Sequence, residues 1–355
     1  MEPAINSYPD ESFEDYSVSG DQVVTYKKAG ERRLFTNPDI DEMREYFREH
    51  KSRRMTNKVT TVQEAVSRLI ADGDYLAVGG FSTTRKPISV LHEIMRQKKR
   101  NLGYSGHTTT HDLQLLIAGK CINRCDAAYV VTLEARGFSL IMRKAFESGE
   151  VEVTEWTNGT LAWRFKAAAM GISFVPTRSL LGTDTLKYSA AVEMPCPFTG
   201  KKFAALPALF PDVGIIHVHR CDIYGNCQID GLTMFDYDIA RAAKKLIITT
   251  EEIIPNEEIR RRPHLTVIPY YYVDAVIEVP MGAYPTNMPY LYFSDEDYFA
   301  ELIAAEKDEK AFKEHLDKYV YNVDNHWSFL QASGGLQRLS ALRARETHRY
   351  EKGGY

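Results

Sequence analysis

The hydrophobic positions of this 355-residue chain follow two alternating periods over most of its length. Thr61 and Glu64 have the spacing of a capping box, and the apolar residues after them recur every three to four positions, which predicts a helix that Gly73 ends. Short apolar runs then alternate with segments of helical period as far as residue 171. Strands and helices that alternate at this spacing predict a parallel sheet covered by helices on both faces.

The predicted strands are 75–80, 101–106, 126–133, 150–156, 213–219, 245–254 and 272–280, and the predicted helices beside them are 87–98, 112–119, 138–149, 159–171 and 235–245. Several strands, such as GIIHV and LIITT, are continuous apolar runs, which is typical of strands buried on both faces of a sheet. The predicted fold class is therefore α/β, with an open, mainly parallel, doubly wound sheet, an N-terminal extension and C-terminal helices.

The same pattern divides the chain into three segments. Residues 1–57 form a polar extension with too little apolar periodicity for a core, residues 58–320 form the α/β domain, and residues 321–355 form a tail that packs on the domain or on a partner. The Pro-rich stretch from Ser173 to Pro211 is predicted to be a loop excursion over the active face of the sheet.

Composition and charge exclude several classes of protein. No run of 18 apolar residues is present, and a net charge of −4 with scattered basic residues argues against binding to nucleic acid or a membrane. The acidic start lacks the features of a signal or transit peptide, which predicts a cytoplasmic location. Five dispersed cysteines predict reduced thiols. The one dense basic run, Arg260 to Arg262, follows two glutamates, which favours a self-paired surface segment over an anion site.

The segment LAVGGFSTTRKP joins the end of the first predicted strand to the start of a helix. Ligands of open α/β sheets bind at the carboxyl ends of the strands. Gly79 and Gly80 allow backbone amides to approach a ligand closely, and Pro87 leaves the positive end of the helix dipole uncovered. Arg85 and Lys86 add cations for a phosphate or a carboxylate. A tight turn capped by an exposed Arg–Lys pair is an equally good interpretation, because the segment has no P-loop or dinucleotide motif.

Together with PDVGIIHVH, TEEIIPNEEIRRRP and VDAVIEVPMGAYPTNMPYLY, the motif GGFSTTRKP resembles the A-type subunit of glutaconate CoA-transferase and its relatives in CoA-transferase family I. The likeness extends from about Val59 to about Tyr298, with the motifs in the same order. It implies a heterodimer or heterotetramer of A-type and B-type chains, with coenzyme A as substrate thioester and no metal. In this family a glutamate of the B-type chain attacks the acyl-CoA, forming an anhydride and then a glutamyl-CoA thioester that reacts with the acceptor acid.

The resemblance implies that this chain supplies half of the site. The B-type chain carries its glutamate after the second strand, where this chain has GYSGHTTTHD and no Ser-Glu-x-Gly. Gly79 and Gly80 are then expected to act in catalysis by stabilising an oxyanion, and Phe81 to shape the thioester pocket. Arg85 and Lys86 are expected near the CoA phosphates or the acid substrate.

Further candidate residues lie at other strand ends. Ser105 and His107, on the loop after the second strand, are candidates for contacts with the acyl group. Glu155 is a candidate catalytic carboxylate, and Arg178 could clamp a substrate carboxylate in bidentate fashion, although a structural pair or unrelated surface charges are the favoured interpretation of both. Glu134 is either a relocated nucleophile or a salt-bridged residue at a helix start.

The sequence around the histidines favours structural roles for them. His107 and His111 are four residues apart, but Gly106 and three threonines favour a loop there, so a zinc pair on one helical face is not expected. For His217 and His219, on a predicted strand, ordinary hydrogen bonding is favoured over catalysis.

Three functions remain open at this point. The best supported is the A-type subunit of a CoA-transferase that moves CoA between an acyl-CoA thioester and a carboxylic acid. The second is a CoA-thioester hydrolase or lyase, since some relatives look like enzymes that cleave carbon–carbon bonds or decarboxylate, and GHTTTHD and PTRSLLGTD differ from the corresponding loops of glutaconate enzymes. The third is a binding subunit that has kept the fold without turnover.

Overall fold

The computed structural model describes residues 27–28, 30–130 and 137–351. Its strands are β1 (Lys27–Lys28), β2 (Tyr75–Phe81), β3 (Leu102–His107), β4 (Ile122–Ala127), β5 (Glu152–Glu155), β6 (Phe174–Thr177), β7 (Val192–Pro195), β8 (Lys202–Pro207), β9 (Val213–Cys221), β10 (Cys227–Gln228), β11 (Lys245–Ile253), β12 (Thr266–Ile268) and β13 (Ala275–Glu278).

The helices are α1 (Ile40–His50), α2 (Val62–Leu69), α3 (Ile88–Arg96), α4 (His111–Ala118), α5 (Leu140–Glu147), α6 (Asn158–Met170), α7 (Asp184–Lys187), α8 (Asp236–Ala242), α9 (Asn256–Arg261), α10 (Glu296–Ala305), α11 (Glu309–Leu316), α12 (His326–Ala332) and α13 (Gly335–Glu351). Short 3₁₀ helices span Pro263–Leu265 and Tyr270–Tyr272, and a π-helical turn spans Asp317–Tyr321. Each helix in these ranges is either too short or too polar to traverse a lipid bilayer.

A nine-stranded, mainly parallel sheet forms the centre of the molecule. The strands β2, β3, β4 and β5 lie side by side in chain order, and the chain then returns to the other side of β2 to add β9, β11 and β13 in parallel. Two short strands, β10 and β12, extend the sheet in antiparallel fashion beside the second half of β9. The predicted α/β class with a mainly parallel, doubly wound sheet is confirmed.

Alternate residues of β2 point into two different cores. Leu76 and Val78 belong to a cluster that includes side chains of α2, α3, α4, α5 and the C-terminal helices. Tyr75 and Ala77 belong to a second cluster, on the opposite face, that includes side chains of α6 and α8. Since strand side chains alternate between faces, this division shows that helices cover both faces of the sheet.

The two ends of the described chain pack on these cores. Met43 of α1 is buried in the second cluster, and Phe329 and Leu330 of α12 are buried in the first. At the start of the domain Thr61 caps α2 by accepting a hydrogen bond from the Glu64 amide, as its spacing predicts. The segment boundaries at residues 57 and 320 stay predictions.

The stretch between Ser173 and Pro211 is more regular than its sequence predicts. It contributes β6, β7 and β8 to a second, antiparallel sheet with the order β1-β7-β8-β6. Its Ala204, Leu206 and Leu209 are buried in the second core. Strands of four to six residues that contain proline give too short an alternating pattern to be recognised, which is why a loop is predicted here from the sequence.

Candidate active site

The strand order of the sheet reverses between β2 and β9, and we call the region at the carboxyl ends of these two strands the crevice. The two strands pair only at Leu76 to Val78 of β2 with Val213 to Ile215 of β9. Beyond this point β2 turns toward β3, and Cys221 at the end of β9 pairs with β10 instead. The reversal of strand order in an open α/β sheet is the usual position of a ligand site, so the crevice is the candidate active site.

The glycines at the end of β2 pack against α8. A Cβ on Gly79 would lie 2.7 Å from Oδ1 of Asp236, and the Gly80 amide donates a hydrogen bond of 2.8 Å to that same oxygen. Gly80 has a φ of 75°, and a Cβ there would lie 2.4 Å from the Thr84 carbonyl oxygen. The backbone of the two glycines, which was predicted to lie close to a ligand, therefore lies close to the carboxylate of Asp236, and the Gly80 amide already donates a hydrogen bond to it.

Arg85 is fully buried, and its guanidinium group is held within the chain. It donates to Oδ2 of Asp236 at 2.6 Å, to the Leu232 carbonyl at 2.7 Å and to the His217 carbonyl at 3.2 Å. The prediction that this cation faces a CoA phosphate or an acid substrate disagrees with this environment. The reason is that its partner, Asp236, lies 151 residues later in the chain and cannot be recognised from local sequence.

Lys86 is also fully buried, and its partner is Asp112 at the start of α4. Nζ lies 2.8 Å from Oδ2 of Asp112, which also accepts a hydrogen bond of 2.5 Å from the Tyr104 hydroxyl. The other carboxylate oxygen accepts from the Thr110 amide at 2.8 Å. Arg85 and Lys86 thus form two buried ion pairs that fix the turn after β2, and neither of the two roles considered from the sequence, ligand cation or exposed cap, describes them.

His107, at the end of β3, is a neutral imidazole beside the crevice. Its ring packs against Phe81, with 5.0 Å between ring centroids, and against Phe235 at 4.5 Å. Burial, with a smaller contribution from the charge of Lys86, lowers the pKa of His107 to about 4. The side chain can therefore donate or accept a hydrogen bond at neutral pH but carries no charge. Ser105, two residues earlier, is fully buried, and its Oγ has no hydrogen-bond partner within the described residues.

Glu155 and Arg178 lie apart from the glycine turn. Glu155 is exposed at the end of β5, three strands from β2, which places it about 14 Å across the sheet. Arg178 is exposed just after β6 of the second sheet, and these two charges form no salt bridge with each other within the described residues. The structure brings together Gly79, Gly80, Phe81 and His107, but not Glu155 or Arg178. Glu134 lies outside the described residues.

A second buried network near the crevice was missed by the sequence analysis. Glu251 of β11 accepts hydrogen bonds from the Tyr292 hydroxyl at 2.6 Å and the Met281 amide at 2.8 Å, and its Oε1 lies 2.8 Å from His217 Nε2. Burial alone would raise the pKa of Glu251, but the hydrogen bonds and the charge of His217 lower it. The signal that could have revealed it is a glutamate at the end of the apolar run KLIITT.

The remaining histidines and the cysteines have structural roles. His217 Nδ1 lies 2.8 Å from Thr249 Oγ1, and His219 Nε2 lies 2.9 Å from the Pro289 carbonyl, so the predicted hydrogen-bonded histidines are confirmed. His107 ends a strand and His111 begins a helix, so these two do not share a helical face. All five cysteines are free thiols. Within the described residues, no three His, Cys, Asp or Glu side chains are grouped to hold a metal ion.

Comparison with known proteins identifies the family. The family model described as Coenzyme A transferase matches residues 59–279, which is most of the chain and includes the whole crevice between β2 and β9. The chain belongs to the coenzyme A transferase family. Enzymes of this family act on CoA thioesters, and the predicted resemblance to the A-type chain of a CoA-transferase is confirmed.

Two curated relatives and one solved structure illustrate the similarity. The chain is 31% identical to the A-type subunit of glutaconate CoA-transferase of Acidaminococcus fermentans over 80% of this chain and 94% of that protein. It is 31% identical to the A-type subunit of 3-oxoadipate CoA-transferase of Pseudomonas knackmussii over 77% of this chain and 96% of that protein. The crystal structure of glutaconate coenzyme A-transferase from A. fermentans superposes with a TM-score of 0.77 and 30% identity, covering 81% and 95% of the two chains.

Proposed function

We propose that this chain is the A-type subunit of a cytoplasmic, heteromeric CoA-transferase that moves CoA between an acyl-CoA thioester and a carboxylic acid. The nucleophile is a glutamate of a separate B-type chain, and the site forms where that partner meets the crevice between β2 and β9. The similarity to the A-type subunits of two CoA-transferases supports this assignment.

One observation carries the proposal: the carboxylates in the crevice are already occupied. Asp236 is paired with Arg85 and with the Gly80 amide, and Asp112 is paired with Lys86, all with buried side chains. A carboxylate held in a buried ion pair is a poor nucleophile, because attack would leave its cationic partner uncompensated in a medium of low polarity. The pairing of these two carboxylates supports a nucleophile that comes from another chain.

The proposed reaction divides one acyl exchange into two balanced halves. The glutamate carboxylate of the partner attacks the thioester carbonyl, the C–S bond breaks, CoA leaves as thiolate, and a mixed anhydride between the acyl group and the glutamate remains. The thiolate then attacks the glutamyl carbonyl and releases the first acid as its carboxylate. The acceptor carboxylate enters by the reverse of these steps and leaves as the new acyl-CoA.

In this scheme the chain contributes a rigid, largely apolar wall. Phe81 and His107 form adjoining surfaces for the acyl group, and the neutral imidazole offers a hydrogen bond without a competing charge. The ion pairs of Arg85 and Lys86 hold the turn from Gly79 to Lys86 in place, so that little reorganisation is needed when the site forms. Glu155 lies on β5, at the edge of the main sheet, and would act on a distant part of a substrate.

The test is to co-express this chain with a candidate B-type chain from the same genome and to assay acyl exchange. A labelled carboxylic acid should be converted to its CoA thioester only when both chains and an acyl-CoA donor are present. Release of a ring-opened or shortened acid without an acceptor would instead identify a hydrolase or lyase. Absence of both reactions across a panel of mono- and dicarboxylic acyl-CoA donors would identify a binding subunit and contradict the proposal.

A further inference from the structure

Two adjoining cavities lie on the part of the surface formed by α1, α8 and the segment between α9 and β13. Their volumes are about 370 Å³ and about 680 Å³, and both are lined by Arg241 and Tyr270. We call them together the tyrosine groove and define it by Arg53, Tyr237, Arg241, Arg260, Tyr270 and Tyr271. The groove shares no lining residue with the turn from Gly79 to Lys86, and each cavity has the volume of a small-molecule site.

The tyrosine groove has an unbalanced positive charge. Arg53, Arg241 and Arg260 line it, and none of these three guanidinium groups forms a salt bridge within the described residues. Lys51 also lines it but is paired with Asp274 at 2.5 Å. No Asp or Glu is among the described lining residues of either cavity, so the local field favours an anion.

Aromatic rings provide flat surfaces next to these cations. The guanidinium carbon of Arg241 lies 3.1 Å from the ring centroid of Tyr237 and 5.3 Å from that of Tyr272, which fixes the cation between two rings. Tyr271 is 40% exposed at the edge of the smaller cavity. In the larger cavity, Oγ1 of Thr266 is buried and has no hydrogen-bond partner within the described residues. A planar ring that carries an anionic group satisfies both the rings and the cations.

One wall of the groove comes from outside the segment that matches the family. Phe47, Lys51, Arg53 and Met55 line the two cavities, whereas the family match begins at residue 59. The groove is therefore built partly by residues that precede the family match and pack against the α/β domain.

We propose that the tyrosine groove binds a nucleotide phosphate. The base stacks on the exposed tyrosine surface, and the phosphates pair with the guanidinium groups of Arg53, Arg241 and Arg260, because arginine recognises phosphate by bidentate, charge-assisted hydrogen bonds. Two sources share this chemistry: a free nucleotide and the 3′-phospho-ADP end of coenzyme A. The inference does not depend on the proposed transfer reaction, because its readout is equilibrium binding to this chain alone.

The first experiment is calorimetric titration of the full-length chain with ADP, adenosine and pyrophosphate. ADP should bind saturably at one site, and adenosine and pyrophosphate should each bind at least about tenfold more weakly, because each lacks one half of the recognised chemistry. Displacement of ADP by CoA would assign the groove to the nucleotide end of CoA, and binding of ADP that CoA leaves unchanged would assign it to a free nucleotide. Absence of saturable ADP binding, or equal affinity for adenosine, would overturn the proposal.

The second experiment compares neighbouring arginines. Arg260→Gln and Arg53→Gln should each weaken ADP binding by about fivefold or more, because each removes a charged donor from the groove. The matched control is Arg261→Gln: Arg261 pairs with Glu258 and lines neither cavity, so affinity should stay within about twofold. Both Arg260 and Arg261 are exposed on α9, so folding is not at risk. Equal loss in Arg260→Gln and Arg261→Gln would contradict the assigned site.

Discussion

The carboxylate of Asp236 holds the candidate active site together at the scale of single residues. It accepts hydrogen bonds from the Gly80 amide and from the Arg85 guanidinium. Because Asp236 lies on α8, these bonds join the end of β2 to a helix that packs on the second core. Both partners of the Arg85–Asp236 pair are almost completely buried. Removing one partner would leave the other as an uncompensated buried charge.

Asp236→Ala should therefore lower the free energy of unfolding by about 3–5 kcal/mol, measured by urea denaturation. The control is Asp230→Ala, which breaks an Arg–Asp pair of similar length, Arg220–Asp230 at 2.7 Å, that is partly exposed. Solvent screens that pair, and the expected loss is about 1 kcal/mol or less. Equal losses in the two variants would contradict the assignment of Asp236 as the buried anchor of the site.

Gly80→Ala should be much more destabilising than Gly149→Ala. Both glycines have a φ of 75°, so both variants incur the cost of about 1–2 kcal/mol of placing a Cβ in the left-handed region. Only at Gly80 does the added Cβ also collide with backbone, 2.4 Å from the Thr84 carbonyl oxygen, whereas Gly149 has open space. Thermal melting of the two variants measures the difference. Similar melting temperatures of the two variants would show that the turn after β2 rearranges at little cost, and would contradict this prediction.

The sequence could predict which residues meet at the ends of β2 and β3 but not how the charges there are paired. Gly79, Gly80 and His107 could be predicted because strand ends and glycine pairs are local signals. The roles of Arg85 and Lys86 could not, because their partners Asp236 and Asp112 reach them only through the folded sheet.

At the scale of elements, buried neutral histidines attach the C-terminal helices to the domain. They are His92 of α3, His111 of α4, His315 of α11 and His326 of α12. Their rings pack edge-on or tilted against the aromatic side chains between these helices, Tyr298, Phe299, Tyr319 and Phe329. Burial lowers the pKa of His92 well below its usual value and lowers the pKa of the other three to about 4.

The protein should consequently lose stability on mild acidification. Between pH 6.5 and 4 the unfolded chain binds protons that these folded imidazoles do not, so their contribution is complete above pH 6.5 and falls as the pH decreases. At pH 5.5 each imidazole with a pKa of about 4 should cost about 1.4 kcal/mol. The pKa values of His107 and His219 are also lowered to about 4, so these two imidazoles likewise reduce the free energy of unfolding as the pH decreases.

The measurement is the free energy of unfolding in urea at pH 7.5, 6.5 and 5.5. The variant His92→Met should reduce the slope with pH, because it replaces an imidazole that has no hydrogen-bond partner within the described residues by an apolar side chain. A wild-type stability that stays constant over this range would contradict the buried neutral state of the cluster.

Long strands and helices with a clear hydrophobic period could be predicted from the sequence better than short ones. The main strands were found within a few residues, although β4 is Ile122–Ala127 and overlaps the predicted strand 126–133 only at its end; residues 131–133 lie outside the described residues. Its sequence INRCDA alternates less clearly than the apolar run that follows it. The second sheet was missed because its strands are short and contain proline, and they are stabilised by packing on the second core.

At the scale of the whole molecule, the chain provides a preorganised surface, and in the proposed function a partner chain completes the site. The crevice between β2 and β9 contains a turn fixed by buried ion pairs, a neutral imidazole and an aromatic ring, and its carboxylates are held by cations of the same chain. This arrangement suits a chain that receives its nucleophile from a partner, as proposed for the A-type role.

The most direct test is to locate the covalent intermediate. The purified chain, the B-type partner and their mixture are each incubated with acyl-CoA, treated with borohydride or hydroxylamine, and digested for peptide mass spectrometry. If the partner supplies the nucleophile, the mixture carries one modified glutamate, on the partner, and the chain alone carries none and shows no turnover. A modified glutamate on this chain, or full activity of the chain alone, would show that the nucleophile does not come from the partner.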